Sequence, residues 1–408
     1  AMSDLVTRAQ ITLLSRTLHV SEDKLAHLEK LGAANLHELQ ERMAQVMFAE
    51  HNAIFSRLSL LVPIIPLSIS LPIVQRLVPP TMTGRAAGAI GVKYPAKAIE
   101  ALLRLDVGYA ADCAPYLDPR TVGQLADDAP PAPVVAIVNE LLARRDYITA
   151  GPFLAYATPD LVHAVERDVH DDEGLIRSAS YSFSGENISV IIRHLLTGEG
   201  RRVPKLARTI LQGAKELRLA ALSVFARCDT DVIVAIGDIL FDVGSADEIA
   251  DLIETFISAG AVPETLRFAG QLSPAALDLL AANPILAEPE PIDAVAGAAD
   301  GSGEAAVWRG LLELAERTEP GIARRIGGAI SHFDTATLTG LPGLAATAHL
   351  WPPLLKVLAT AEADAQSRIG ELWSPLPALE RNEIEQRIAD LGLGEQLTTL
   401  IATLQLTR

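Results

Sequence analysis

Aromatic residues are scarce in this chain, at 4% of 408 positions, and there are only two cysteines, Cys113 and Cys228. Two cysteines so far apart build neither a disulfide framework nor a paired metal motif, and they fit a reducing, cytoplasmic setting. The N-terminus lacks the basic, apolar and small-residue order of a secretory leader, so none is expected. Strand signals are also few. The β-branched runs VVAIV (134–138) and VIVAI (232–236) each sit inside a longer helical pattern, with no hairpin turn beside them. Basic residues are outnumbered: 34 Lys and Arg stand against 51 Asp and Glu, a formal charge of −17. Phosphate backbones are repelled by such a surface, so no nucleic-acid partner is expected, and an anionic membrane is disfavoured for the same reason.

What the chain has in quantity is aliphatic side chains. Hydrophobic residues make up 49%. Leu and Ala lose little side-chain freedom in a helix, so the composition leans all-α. The expected fold class is all-α, an α-solenoid or superhelical array of helical hairpins. Its expected divisions are an N-terminal helical cap (1–62), a repeat array (63–284), a flexible acidic linker or loop (285–304) and a C-terminal helical region (305–408). The linker reading rests on AEPEPIDAVAGAADGSGE, which is small, acidic and rich in Pro and Gly. Gly340, Pro342 and Gly343, then Pro352 and Pro353, then Pro375 and Pro377, are expected to punctuate the last region.

The repeat is visible at an offset of 40. Residues 102–128 (LLRLDVGYAADCAPYLDPRTVGQLADD) align with 142–168 (LARRDYITAGPFLAYATPDLVHAVERD). Leu102, Asp106, Ala110, Tyr116, Pro119, Val122 and Asp128 meet the same residue types at Leu142, Asp146, Ala150, Tyr156, Pro159, Val162 and Asp168. Leu77 and Pro79 stand 40 before Leu117 and Pro119. Self-similarity at such a period marks a solenoid. Each unit reads as a helix ending near an aromatic residue. A polar cap, Asp118 or Thr158, follows, and then a short helix opened by proline, where the missing donor costs nothing.

Residues 77–168, with LDPRTVGQLADD and ATPDLVHAVERD, resemble the superhelical cytoplasmic N-terminal domain of MgtE-type magnesium transporters, a HEAT-like array. The resemblance covers about a quarter of the chain and implies a right-handed helical array. The family's membrane and nucleotide-binding-like domains have no counterpart here, and no individual ligand position can be matched.

No catalytic constellation stands out, and none of the usual phosphate or nucleophile motifs is present. GAIGVK (88–93) lacks the phosphate-loop spacing, and no GxSxG elbow exists. No catalytic residue or cofactor is therefore expected. Two weaker candidate sites remain. The first is the uncharged stretch Leu58–Gln75 (LSLLVPIIPLSISLPIVQ), broken by Pro63, Pro66 and Pro72. Its length matches a membrane span, but three prolines make it a broken helix in a core instead. Leu61, Ile65, Ile69 and Ile73 would line a cavity for a lipid-like molecule. The second is the acidic cluster containing Asp168, Asp171, Asp172 and Glu173, whose carboxylates suit magnesium. A solvated loop is its plainer account. The leading expectation is a non-enzymatic cytoplasmic scaffold or adaptor with a protein or peptide partner. The alternatives are a carrier of a hydrophobic small molecule and an acidic, magnesium-responsive module.

Overall fold

The computed structural model describes residues 4–55 and 64–405, apart from the side chains of 51–55. Among these residues every regular element is helical and none is a strand. Both β-branched runs lie in helices, Pro131–Ala143 and Thr230–Val243. The helices are short because caps and prolines recur. The chain divides into two compact units, Ala1–Val232 and Ile233–Arg408.

In the first unit, Asp4 caps the opening helix Leu5–Leu18 by accepting from the Thr7 N–H at 2.6 Å. That helix buries Ile11 and Leu14 against Leu25 and Leu36. It packs on the Gly32–Phe55 helix and also on Lys215–Phe225, far along the chain. Arg16 pairs with Asp146 at 2.9 Å. Burial pushes the Asp146 carboxyl up, but hydrogen bonds from Arg16 and Thr149 outweigh it and leave the group below its ordinary value.

The residues matched at an offset of 40 take the same local roles. Asp106 accepts from the Tyr109 N–H, and Asp146 from the Thr149 N–H. Asp118 accepts from the Arg120 N–H and Thr158 from the Leu161 N–H. Pro119 and Pro159 open the helices Pro119–Leu125 and Pro159–Asp168, each preceded by a short 3-10 turn. A capped proline start is therefore used twice, for the reason the sequence supplies.

The second unit holds the three tryptophans. Trp308 and Trp373 are fully buried, and their indole N–H groups donate to Ser302 O and Leu338 O, both at 2.9 Å. Trp351 meets Trp373 edge-on at 5.8 Å. Ser245 and Glu248 form a reciprocal capping box, and Ser273 caps the helix that Pro274 opens.

Two expectations need correction here. The stretch 285–304 is not an open linker. It holds a 3-10 turn, Pro284–Ala287, and a helix, Pro289–Gly297, in which Ile292, Val295 and Ala296 are buried. Those three positions share one helix face, so the segment has enough apolar surface to dock in spite of its acidic composition. Pro342 does not end a helix either. It lies inside Thr335–Ala348, buried with Leu338, Leu341 and Ala345. Packing offsets the bond that proline removes.

Candidate functional site

The acidic cluster does not come together as a ligand set. Asp171 accepts from the Gly174 N–H at 2.8 Å, capping the helix Asp172–Ala179. Asp172 pairs with the buried Arg202 at 2.6 Å. Asp168 pairs with Arg167 at 2.8 Å, and this hydrogen bond holds its carboxyl below the ordinary range. Glu173 lies 3.9 Å from Arg177. Each carboxylate is engaged with a protein partner, and no group of three metal-ligating side chains forms among the described residues. Raising magnesium from zero to 5 mM should therefore leave the melting temperature unchanged. A rise of several degrees, saturating in that range, would restore the magnesium-responsive reading.

Both cysteines are buried, and burial pushes each thiol up to about 11. At neutral pH they stay protonated and are poor nucleophiles.

The proline-broken stretch is different from the buried core expected of it. Leu61 lies outside the described residues. The others fall on or just before an eleven-residue helix, Leu67–Leu77. Ile65 is 42% exposed, Ile69 59% and Ile73 52%, so they line no closed core. Ile69, Ile73 and Leu77 recur every four residues, which stacks them along one side of the helix, while Ile65 precedes it. Arg76 is two turns from Ile69 and lies on the same side. Leu71, half a turn away, is the helix's buried residue. The helix is aliphatic on both sides, with Leu67, Leu71 and Val74 turned inward and Ile69, Ile73 and Leu77 turned outward.

The inner side is anchored. The helix packs on Pro95–Arg104. Gln75 Oε1 accepts from the Asp106 N–H at 2.8 Å. The Tyr109 hydroxyl donates to Val78 O at 2.9 Å and lies 2.6 Å from the Thr83 hydroxyl. Burial pushes the Tyr109 phenol up, so it stays a donor at neutral pH. Pro72 sits inside the helix, and the Ser68 carbonyl that it leaves without a partner belongs to an exposed residue that water can reach.

Further exposed apolar side chains follow along the chain. Met82 and Val92 are exposed on Pro80–Lys93, Leu103 on Pro95–Arg104, and Val107 just beyond it. Nine of the fourteen large apolar side chains exposed among the described residues fall between 64 and 107. The chain also carries no Asp or Glu from His51 to Ile99, although 51 of its 408 residues are acidic. In 64–105 the charged residues are Arg76, Arg85, Lys93, Lys97, Arg104 and the single acid Glu100. Glu100 is 3.3 Å from Arg104 and 3.9 Å from Lys97. Arg85 lies over the Tyr116 ring. Arg76 and Lys93 are exposed and carry no ion pair to a carboxylate of the described residues. The segment's charge is +4, which leaves −21 on the rest of the chain. The carboxylate-free run could have been found from sequence. The outward turn of the aliphatic stripe could not.

No protein-family model matches the chain, and no curated protein matches it either. No helix of the described residues is long and apolar enough to cross a membrane.

Proposed function

We propose that this chain is a non-enzymatic helical scaffold or adaptor, an α-solenoid of roughly 40-residue repeats that engages a partner through the aliphatic surface of residues 64–107. The observation that carries the reading is the concentration of exposed aliphatic side chains there. Apolar side chains exposed singly are ordinary on a protein surface, whereas exposed ones gathered together point to an interaction site.

The array reading draws support from where polar contacts fall along the sequence. Arg144 meets Asp112 at a separation of 32 residues, Arg202 meets Asp172 at 30, and Arg193 meets Asp229 at 36. In the second unit Arg267 meets Glu304 at 37, Arg325 meets Asp293 at 32, and Lys356 meets Glu316 at 40. Each pair links a helix to a helix about one repeat away, as stacked units do. The likeness to the MgtE-type domain belongs to this reading at the level of fold alone.

A carrier with a lipid-lined cavity would turn Ile65, Ile69 and Ile73 inward. Their exposure favours surface contact instead. A photo-crosslinking residue at Ile69, in the full chain in cells, should yield a defined adduct, to a protein or to a lipid. The same residue at Leu379, which is 81% exposed but lies outside this cluster, should not. Equal labelling from both positions, or none from Ile69, would remove the proposed docking role.

A further inference from the structure

We propose that the face built by residues 64–107 docks on an anionic lipid bilayer surface. This rests on the reading that the face engages a partner, and it names that partner's chemistry.

The shape of the face is that of an interfacial element. The Leu67–Leu77 helix is about 16 Å long, too short to cross a bilayer but suited to lie in its surface. Its outward side presents Ile69, Ile73 and Leu77, and exposed Ile65 lies just ahead of it. Leu71, Gln75 and Val78 hold the opposite side to the protein. The aliphatic side chains are therefore presented outward by a fixed platform.

Charge chooses among the occupants. Arg76 lies within the stripe, and exposed Lys93 belongs to the adjoining segment. Over 64–107, with Asp106 counted, the charge is +3 while the remainder is −20. Lys and Arg near an anionic leaflet are attracted over about a Debye length, roughly 8 Å in physiological salt. Most of the rest of the chain is acidic and repelled by the same leaflet, and in the other basic stretch, 201–218, Arg202 and Arg218 are buried. The net charge of −17, taken alone, argues against such a partner, and its uneven distribution reverses that conclusion. A second copy fits less well, because a two-fold contact sets the same patch against itself and brings Arg76 toward its own equivalent. A protein partner fits less well too. Protein hot spots favour Trp, Tyr and Arg, whereas the large apolar side chains exposed on this face are Ile, Leu, Val and Met.

The test is flotation of the full chain with vesicles. One set holds phosphatidylcholine with 30% phosphatidylserine, and the other holds phosphatidylcholine alone. The expected result is binding to the anionic vesicles at least 10-fold tighter than to the neutral ones. The pair Ile69→Asp with Ile73→Asp should lower it at least 10-fold. The pair Arg76→Glu with Lys93→Glu should do the same while leaving the aliphatic stripe intact. Both pairs sit on exposed positions, and unchanged circular dichroism and melting would show that the fold is kept. Equal binding to both vesicle types, or anionic binding that survives both pairs, would overturn the proposal. So would no vesicle binding together with a protein adduct from the crosslinker at Ile69, and in that case the docking role stands with a protein as its occupant. No vesicle binding and no adduct would remove both.

Discussion

Replacing Gly310 by alanine should destabilise the second unit by about 3 kcal/mol, at the upper end of what overpacking costs. The helices Val262–Ala269 and Ala305–Arg317 approach each other at this point. A Cβ on Gly310 would overlap the Leu266 carbonyl oxygen and sit 2.7 Å from its carbonyl carbon. A Cβ on Gly270 would lie 3.0 Å from Gly310 N, so the approach is backbone to backbone from both sides. A side chain could rotate aside, but a helical carbonyl cannot without moving its helix. In a unit of this size the loss corresponds to a fall of about 10 °C in melting temperature, readable by calorimetry. The matched control is Gly328→Ala, within the helix Pro320–Ser331, where an added Cβ meets nothing within 4 Å. There the change should stabilise by about 0.5–1 kcal/mol, because alanine loses less backbone freedom. If the two substitutions shift melting by similar amounts, the close crossing at Gly310 is wrong.

Arg202→Met should cost the first unit about 4 kcal/mol, since breaking a buried pair from one side leaves the other charge uncompensated. Arg202 is 6% exposed. Its guanidinium donates to Asp172 at 2.6 Å, to Glu166 O at 3.0 Å and to Val169 O at 2.5 Å. It therefore closes the turn between Pro159–Asp168 and Asp172–Ala179 from a helix 30 residues further on. Adding Asp172→Leu to Arg202→Met should recover much of the loss, because the stranded carboxylate is then gone. Chemical denaturation of the three variants measures this. A single-variant cost below about 1 kcal/mol, or a double variant no more stable than the single one, would show that the pair is not the clasp of that turn.

The elements that the sequence made legible are those whose cause is local. Asp118 with Pro119, and Thr158 with Pro159, cap helix starts because the bond runs between residues two or three apart. The segment 285–304 was misread because its acidity and prolines masked the spacing of Ile292, Val295 and Ala296, a signal that was present. The outward stripe at Ile65, Ile69 and Ile73 has a different status. Periodicity states which residues share a face and says nothing of whether another helix covers it. The acidic cluster was illegible for a similar reason, since the cation that occupies Asp172 comes from Arg202, outside any local window.

The packing of the Leu5–Leu18 helix on Lys215–Phe225 has a consequence for synthesis. Its fully buried Leu14 belongs to a segment that leaves the ribosome some 200 residues before the helix it packs on is made. At ordinary translation rates that interval is roughly 10–40 s. For that time the first helix has only its near neighbours to cover it. The first helix, made well before its partner, is thus among the last to reach its final surroundings.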